Sequence, residues 1–152
     1  MQGAKQVFER NAESLISQIR QNLASTNANA TGKTRDSLEY TATDDRLQVK
    51  GDKSYDFVEV GRGAGKMPPV KPIMEWATAR GLITSPSQGR SLVFLVRRSI
   101  AESGTKTMSR EHPRDIWTRI VDDRAIDSIV GQIHELSLSK MLDDLNILWA
   151  NK

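Results

Sequence analysis

The residues of this 152-residue chain with chemistry to offer are two histidines, three acidic pairs, scattered serines and one glycine-rich basic loop. His112 and His134 stand far apart in sequence, and a catalytic zinc centre needs three protein ligands, so neither is expected to hold a metal. His112 reads as a loop residue and His134 as a helix flank. The pairs Asp44-Asp45, Asp122-Asp123 and Asp143-Asp144 have the composition of an acid and a base. Neighbours on a helix point about 100° apart, however, so adjacency in sequence does not bring two carboxylates together. A turn, a helix start and a solvated face account for the three pairs. No serine stands in a G-x-S-x-G elbow, and there is no cysteine. These features predict no catalytic residue, no metal and no cofactor, and therefore a protein that is not an enzyme.

The glycine loop invites a nucleotide. Gly61, Gly63 and Gly65 alternate with Arg62, Ala64 and Lys66 before Met67. A phosphate-cradling loop would need glycine where Val60 stands and a hydroxyl where Met67 stands. The dinucleotide fingerprint fails as well, because Pro68-Pro69 intervenes before any helix whose free amides would take a pyrophosphate. What remains is a flexible, basic connector that lacks core-forming side chains and needs a partner to fix it.

Several elements must position that loop. Tyr55, Phe57, Val58 and Val60 are the aromatic and β-branched residues of a strand, and after the prolines Ile73, Met74, Trp76 and Ala77 recur at helical spacing up to a left-handed cap at Gly81. Before it, Val7, Phe8, Ala12, Leu15, Ile16, Ile19 and Leu23 predict an amphipathic helix over 5–24. Leu38, Tyr40 and Ala42, then Leu47 and Val49, alternate with polar residues across an Asp44-Asp45 turn and predict a hairpin, to which the 55–60 strand adds a third member. After it come a helix over about 90–103 ended by Gly104, a polar arm over 105–112, a helical turn through Ile116, Trp117 and Ile120, and a last long helix from Asp122-Asp123. Its apolar stripe runs from Ile126 through Ile133 and Leu136 to Met141, Leu142 and Leu145. The three tryptophans, Trp76, Trp117 and Trp149, fall on apolar faces and read as packing residues, with Trp149 expected against another subunit.

The fold class is therefore α+β. A small antiparallel sheet of about three or four strands packs against an N-terminal helix, with a short helix and two longer C-terminal helices. Residues 1–152 form a single domain, with 1–4 and about 25–31 flexible. Aromatic residues make up only 5% of the chain against 27% charged, so neighbours are expected to supply part of its burial. The net charge is only +3, with basic groups at Lys33 and Arg35, Arg62 and Lys66, and Arg97 and Arg98. This weak polyanion signal keeps a basic nucleic-acid-binding module as the alternative, with a small hydrolase behind it. No run has the length of a signal peptide core or a membrane span, and no membrane partner is expected.

A pattern of residues adds to this reading. Tyr55 and Val58-Glu59-Val60-Gly61, the glycine loop, Met67-Pro68-Pro69, Glu75-Trp76-Ala77 and Arg80-Gly81-Leu82 together resemble the tail-component family of tailed bacteriophages, small neck proteins that complete the head-to-tail junction. Thr31-Gly32-Lys33 with Arg35 and Ser37-Leu38 is similar to the family's lead into its first strand, and Ser91 to Thr105 to its next helix and exit. The resemblance implies a structural virion protein, assembled in the host bacterial cytoplasm. It would be a subunit of a six- or twelvefold ring in the connector, neck or upper tail, acting in tail completion or as a tail terminator and lining the DNA channel. The implied partners are other copies of the chain, portal, adaptor or head-completion proteins, tail tube proteins and the genomic DNA passing through. In such a ring Gly61, Arg62, Gly63, Gly65, Lys66, Met67 and Trp149 are the candidate interface residues, with Arg62 and Lys66 meeting acidic side chains of a neighbour in preference to DNA phosphate.

Overall fold

A computed structural model describes residues 3–26, 31–105 and 115–150, the last three without their side chains. The order is α1 (Ala4–Ser25), α2 (Lys33–Asp36), β1 (Glu39–Ala42), β2 (Leu47–Lys50), α3 (Ser54–Val60), α4 (Val70–Ala79), α5 (Pro86–Ser103) and α6 (Asp123–Ala150). Most of the flexible start, the 25–31 loop and the 105–112 arm, with His112, lie outside the described residues. Of their described parts, Ala4 and Ser25 are already helical, and Thr105 is hydrogen-bonded to Arg62.

α1 is the central element. Val7, Ala12, Ile16, Ile19 and Leu23 are all buried, the last four recurring at three- and four-residue steps. Ile16, Ile19 and Leu23 meet Leu38 and Ile116, with Tyr40, Tyr55, Val58 and Ile120 packed around them. The hairpin lies on one side of α1 and α6 packs on another. Polar ties reinforce the seam: Tyr40 donates its hydroxyl to Glu13 at 3.2 Å, and Asn11 donates to Gln132 of α6 at 3.1 Å.

β1 and β2 pair antiparallel with Tyr40 opposite Val49, and the turn falls at Asp44-Asp45 as its residue types require. The predicted third strand is a helix. Residues 54–60 form α3, so the sheet has two strands rather than three or four. Asp52 starts α3 by accepting the Ser54 N–H on its Oδ1 at 2.8 Å and the Tyr55 N–H on its carbonyl at 3.0 Å. Hydrogen bonding from Ser54, its N–H first, holds the Asp52 carboxyl below its usual range. Gly61, at φ 73°, ends the helix by donating to the Phe57 carbonyl. Strand propensity is a weak preference, and here the Asp52 turn before the helix, the glycine end after it and the burial of Glu59 override it.

α4 and α5 pack against each other as a second assembly. The Gly81 cap is present as expected: Gly81, at φ 67°, donates to Thr78 and Leu82 donates to Ala77, the paired bonds of a Schellman ending. Ser85 and Pro86 begin α5 four residues earlier than the apolar pattern predicts. Ala77 and Val93 are buried between the two helices, and Trp76 is half-buried. No helix among the described residues is long and apolar enough to cross a membrane.

Candidate subunit interface

Glycine brings the 61–67 loop against the end of α5. Gly104, at φ 70°, has no side chain to keep the loop away, and a Cβ there would sit 2.5 Å from the Arg62 carbonyl oxygen and 3.1 Å from the Ala64 nitrogen. The approach lets Thr105 clasp Arg62 from both sides. Its Oγ1 accepts the Arg62 N–H at 2.7 Å, and its own N–H donates to the Arg62 carbonyl at 2.8 Å. Gly65 donates to the Ala101 carbonyl at 2.8 Å. The expectation that only a partner fixes this loop is thereby corrected, because bonds to Ala101 of α5 and to Thr105 just past its end hold the loop.

The candidate residues divide accordingly. Gly61 is buried, and Arg62 turns its guanidinium back to donate to the Lys66 carbonyl at 3.0 Å and to lie 5.9 Å from the Phe57 ring centre. Gly63, Gly65, Lys66 and Met67 are exposed, with open space on the side-chain face of Gly63 and Gly65 although the Gly65 N–H is bonded to α5. Pro68 is buried, and its carbonyl accepts from Arg97 Nε at 2.6 Å. Trp149 stands in the last turn of α6, and its side chain lies outside those described. The structure therefore gathers Gly61 to Met67 into one feature, to which nothing described joins Trp149.

A second site went unread in the sequence. Glu59, only 1% exposed, accepts the Ile116 N–H at 2.8 Å on Oε2 and the Thr118 hydroxyl at 2.5 Å on Oε1. Asn22 of α1 donates to the Ile116 carbonyl at 3.3 Å. Asp115 takes a left-handed φ of 56°, which its short polar side chain tolerates. Glu59 and Asn22 together fix fully buried Ile116 in the core. With only hydrogen-bond donors around its carboxylate, Glu59 is a structural clamp. The signal in the sequence was an acid beside Val58, three residues on from Tyr55, a spacing that suits a helix better than a strand.

A groove of about 660 Å³ lies between α1 and β1, lined by Glu13, Arg20, Arg35 and Tyr40 among others. Three of its charged groups are engaged locally, Arg20 with the Leu38 carbonyl, Arg35 with Asp36 and Glu13 with Tyr40. The Arg35 guanidinium holds the Asp36 carboxyl below its usual range. No group of three or more His, Cys, Asp or Glu side chains is placed to hold a metal among the described residues.

The largest departure from the sequence reading is on α6. Its single predicted stripe is in fact two. Ala125, Ile129, Gln132, Ile133 and Leu136 are the partly covered side chains, and they share the side that α1 packs on. Leu138, Met141, Leu142 and Leu145 lie roughly half a turn around the helix from that side at 3.6 residues per turn. They are 56%, 61%, 60% and 49% exposed. One covering helix cannot serve both stripes. A second bare apolar surface is on α5, where Phe94 and Leu95 are 51% and 60% exposed and turned away from buried Val93. Arg98 shares that outward face, bonded to Glu102 at 2.7 Å, and the carboxylate holds the guanidinium pKa above its ordinary value. Scattered exposed apolar residues are ordinary on any protein, but four along one helix face are not.

No protein-family model, curated protein or solved structure matches the chain.

Proposed function

We propose that this protein is a structural subunit of a ring in the head-to-tail connector, neck or upper tail of a tailed bacteriophage, where it joins head and tail around the DNA channel. The observation that carries the reading is the outward stripe of α6, an apolar surface that no described element of its own chain covers. A helix built this way serves assembly. The neck assignment itself comes from the residue pattern between Thr31 and Thr105. The exposed loop from Gly63 to Met67, held by its bonds to α5 and Thr105, is the surface offered to the adjoining ring. On this reading the protein has no turnover chemistry, and its partners are copies of itself, the head connector and the tail tube.

One observation favours the alternative. Residues 61–105 carry seven Lys and Arg against Glu75 and Glu102, a net +5 within a chain whose total is +3. A basic surface of this kind attracts nucleic acid. Negative-stain imaging of the purified full chain, alone and mixed with candidate head connector and tail tube proteins, separates the two. Closed rings that join either partner are expected. A monomer that ignores both and binds duplex DNA at physiological salt would replace the neck reading with the nucleic-acid one.

A further inference from the structure

The two bare apolar surfaces differ in charge as well as in place. α6 carries five acidic residues against Arg124 and Lys140, a net −3, whereas the stretch from Gly61 to Thr105 that contains α4 and α5 carries +5. Within one chain each is anchored elsewhere, since the main packing of α6 is on α1 and that of α5 on α4. An acidic helix with an uncovered apolar stripe and a basic helix with an uncovered apolar face are complementary surfaces, and a second copy of the same chain supplies the missing half of each.

We propose that α6 of one copy seats Leu138, Met141, Leu142 and Leu145 on the Phe94–Leu95 face of α5 in the next copy, head to tail. This deepens the ring reading and rests on it. Pairing of α6 with another α6 is disfavoured on three counts. It sets −3 against −3. It leaves the α5 face bare. Being isologous, it stops at a dimer, whereas a contact between two different surfaces repeats from copy to copy and closes into a ring when the rotation allows. The dimensions suit helix-on-helix packing. The stripe spans about two turns, and Phe94 with Arg98 forms a ridge of four-residue spacing for Leu138 and Leu142 to straddle. Two turns bury less than the ~1,600 Å² of a standard stable pair. A single contact is therefore weak and concentration-dependent, and it persists where ring closure gives every copy two. The opposite charges act as a long-range field that draws the surfaces together, so association weakens as salt rises.

The test is sedimentation velocity on the full chain and two variants, Leu142→Glu and Phe94→Glu, both at positions more than half exposed. The parent should self-associate with concentration, and each variant alone should associate about tenfold or more weakly. Mixed in equal amounts, the variants retain one intact contact, α6 of the Phe94→Glu copy on α5 of the Leu142→Glu copy. The mixture should form dimers and nothing larger. Circular dichroism melts check that both variants fold, with Leu142→Ser and Phe94→Ser replacing either one that does not. A Phe94→Glu variant that assembles like the parent, a mixture that associates no more than either variant alone up to the highest concentration reached, or a parent that is monomeric at every concentration and instead binds duplex DNA would each overturn the proposal. Rings in the parent with a mixture that associates no more than either variant alone would leave the ring reading standing without this contact. Dimers in the mixture with only open chains in the parent would leave the contact standing without the neck ring.

Discussion

α1 and α6 are both amphipathic helices with aliphatic stripes, yet one is the centre of the molecule and the other is bare along half its length. Five side chains of α1 are buried, whereas no described side chain of α6 is. The difference lies in their surroundings, because α1 is enclosed by the hairpin, the Ile116 segment and α6, while the main packing of α6 among the described elements is on α1. Hydrophobic periodicity marks a face that seeks cover, and the rest of the fold decides whether its own chain provides it.

The sharpest way to break this comparison is to truncate one leucine from each helix. Leu23→Ala, at a position with no exposure, should cost about 2 to 5 kcal/mol in urea unfolding, while Leu142→Ala should stay within about 0.5 kcal/mol at concentrations where the chain is monomeric. Equal losses would mean that the outer face of α6 is covered within its own chain.

A smaller effect is expected at the clamp that completes the cover of α1. Glu59→Ala leaves the Ile116 and Thr118 N–H groups without their acceptor and should cost about 1.5 to 3 kcal/mol. Glu59→Gln keeps an acceptor oxygen and should cost less. Parent-like unfolding of Glu59→Ala would detach the 115–118 segment from the core.

Tyr55 gives the smallest effect, visible only in alkali. Burial pushes its hydroxyl up to about 12 from an ordinary 10, with Arg20 opposing the shift, and the oxygen has no hydrogen-bond partner among the described residues. The folded chain therefore keeps a proton that the unfolded chain releases. The associated stability is complete below pH 10 and is lost as pH rises from 10 towards 12. Thermal melts across that window should fall more steeply for the parent than for Tyr55→Phe, with little difference at pH 7. Identical profiles would mean that the hydroxyl reaches solvent.

Local chemistry was legible in the sequence. The period of α1, the Asp44-Asp45 turn, and the glycines ending α4 and α5 were readable because each is settled by residues within a turn or two. α3 was misread because Tyr55, Phe57, Val58 and Val60 have strand-like side chains, while its helical state rests on the Asp52 turn and on a carboxylate bonded to residues 57 and 59 positions away. The seat of the glycine loop on α5 was hidden for another reason. It is made mainly of backbone bonds, and Gly104 contributes to it by having no side chain. The loop was legible as a candidate from its composition, whereas the second stripe of α6 emerges only once α1 shows which side of the helix is already taken.

The division of α6 into an anchored half and a free half also governs how readily it can be captured. From residue 137 onward the helix runs about 20 Å past the side chains that share the α1-facing side, a length at which an isolated peptide in water is only marginally helical. What makes such a peptide marginal is nucleation, the fixing of several residues for the first hydrogen bond. Here the half packed on α1 has already supplied that first turn, so each further residue adds at the far smaller cost of propagation. A surface that docks on Leu138 to Leu145 therefore meets a helix whose nucleus is built in, and little of its binding energy is consumed in ordering the chain.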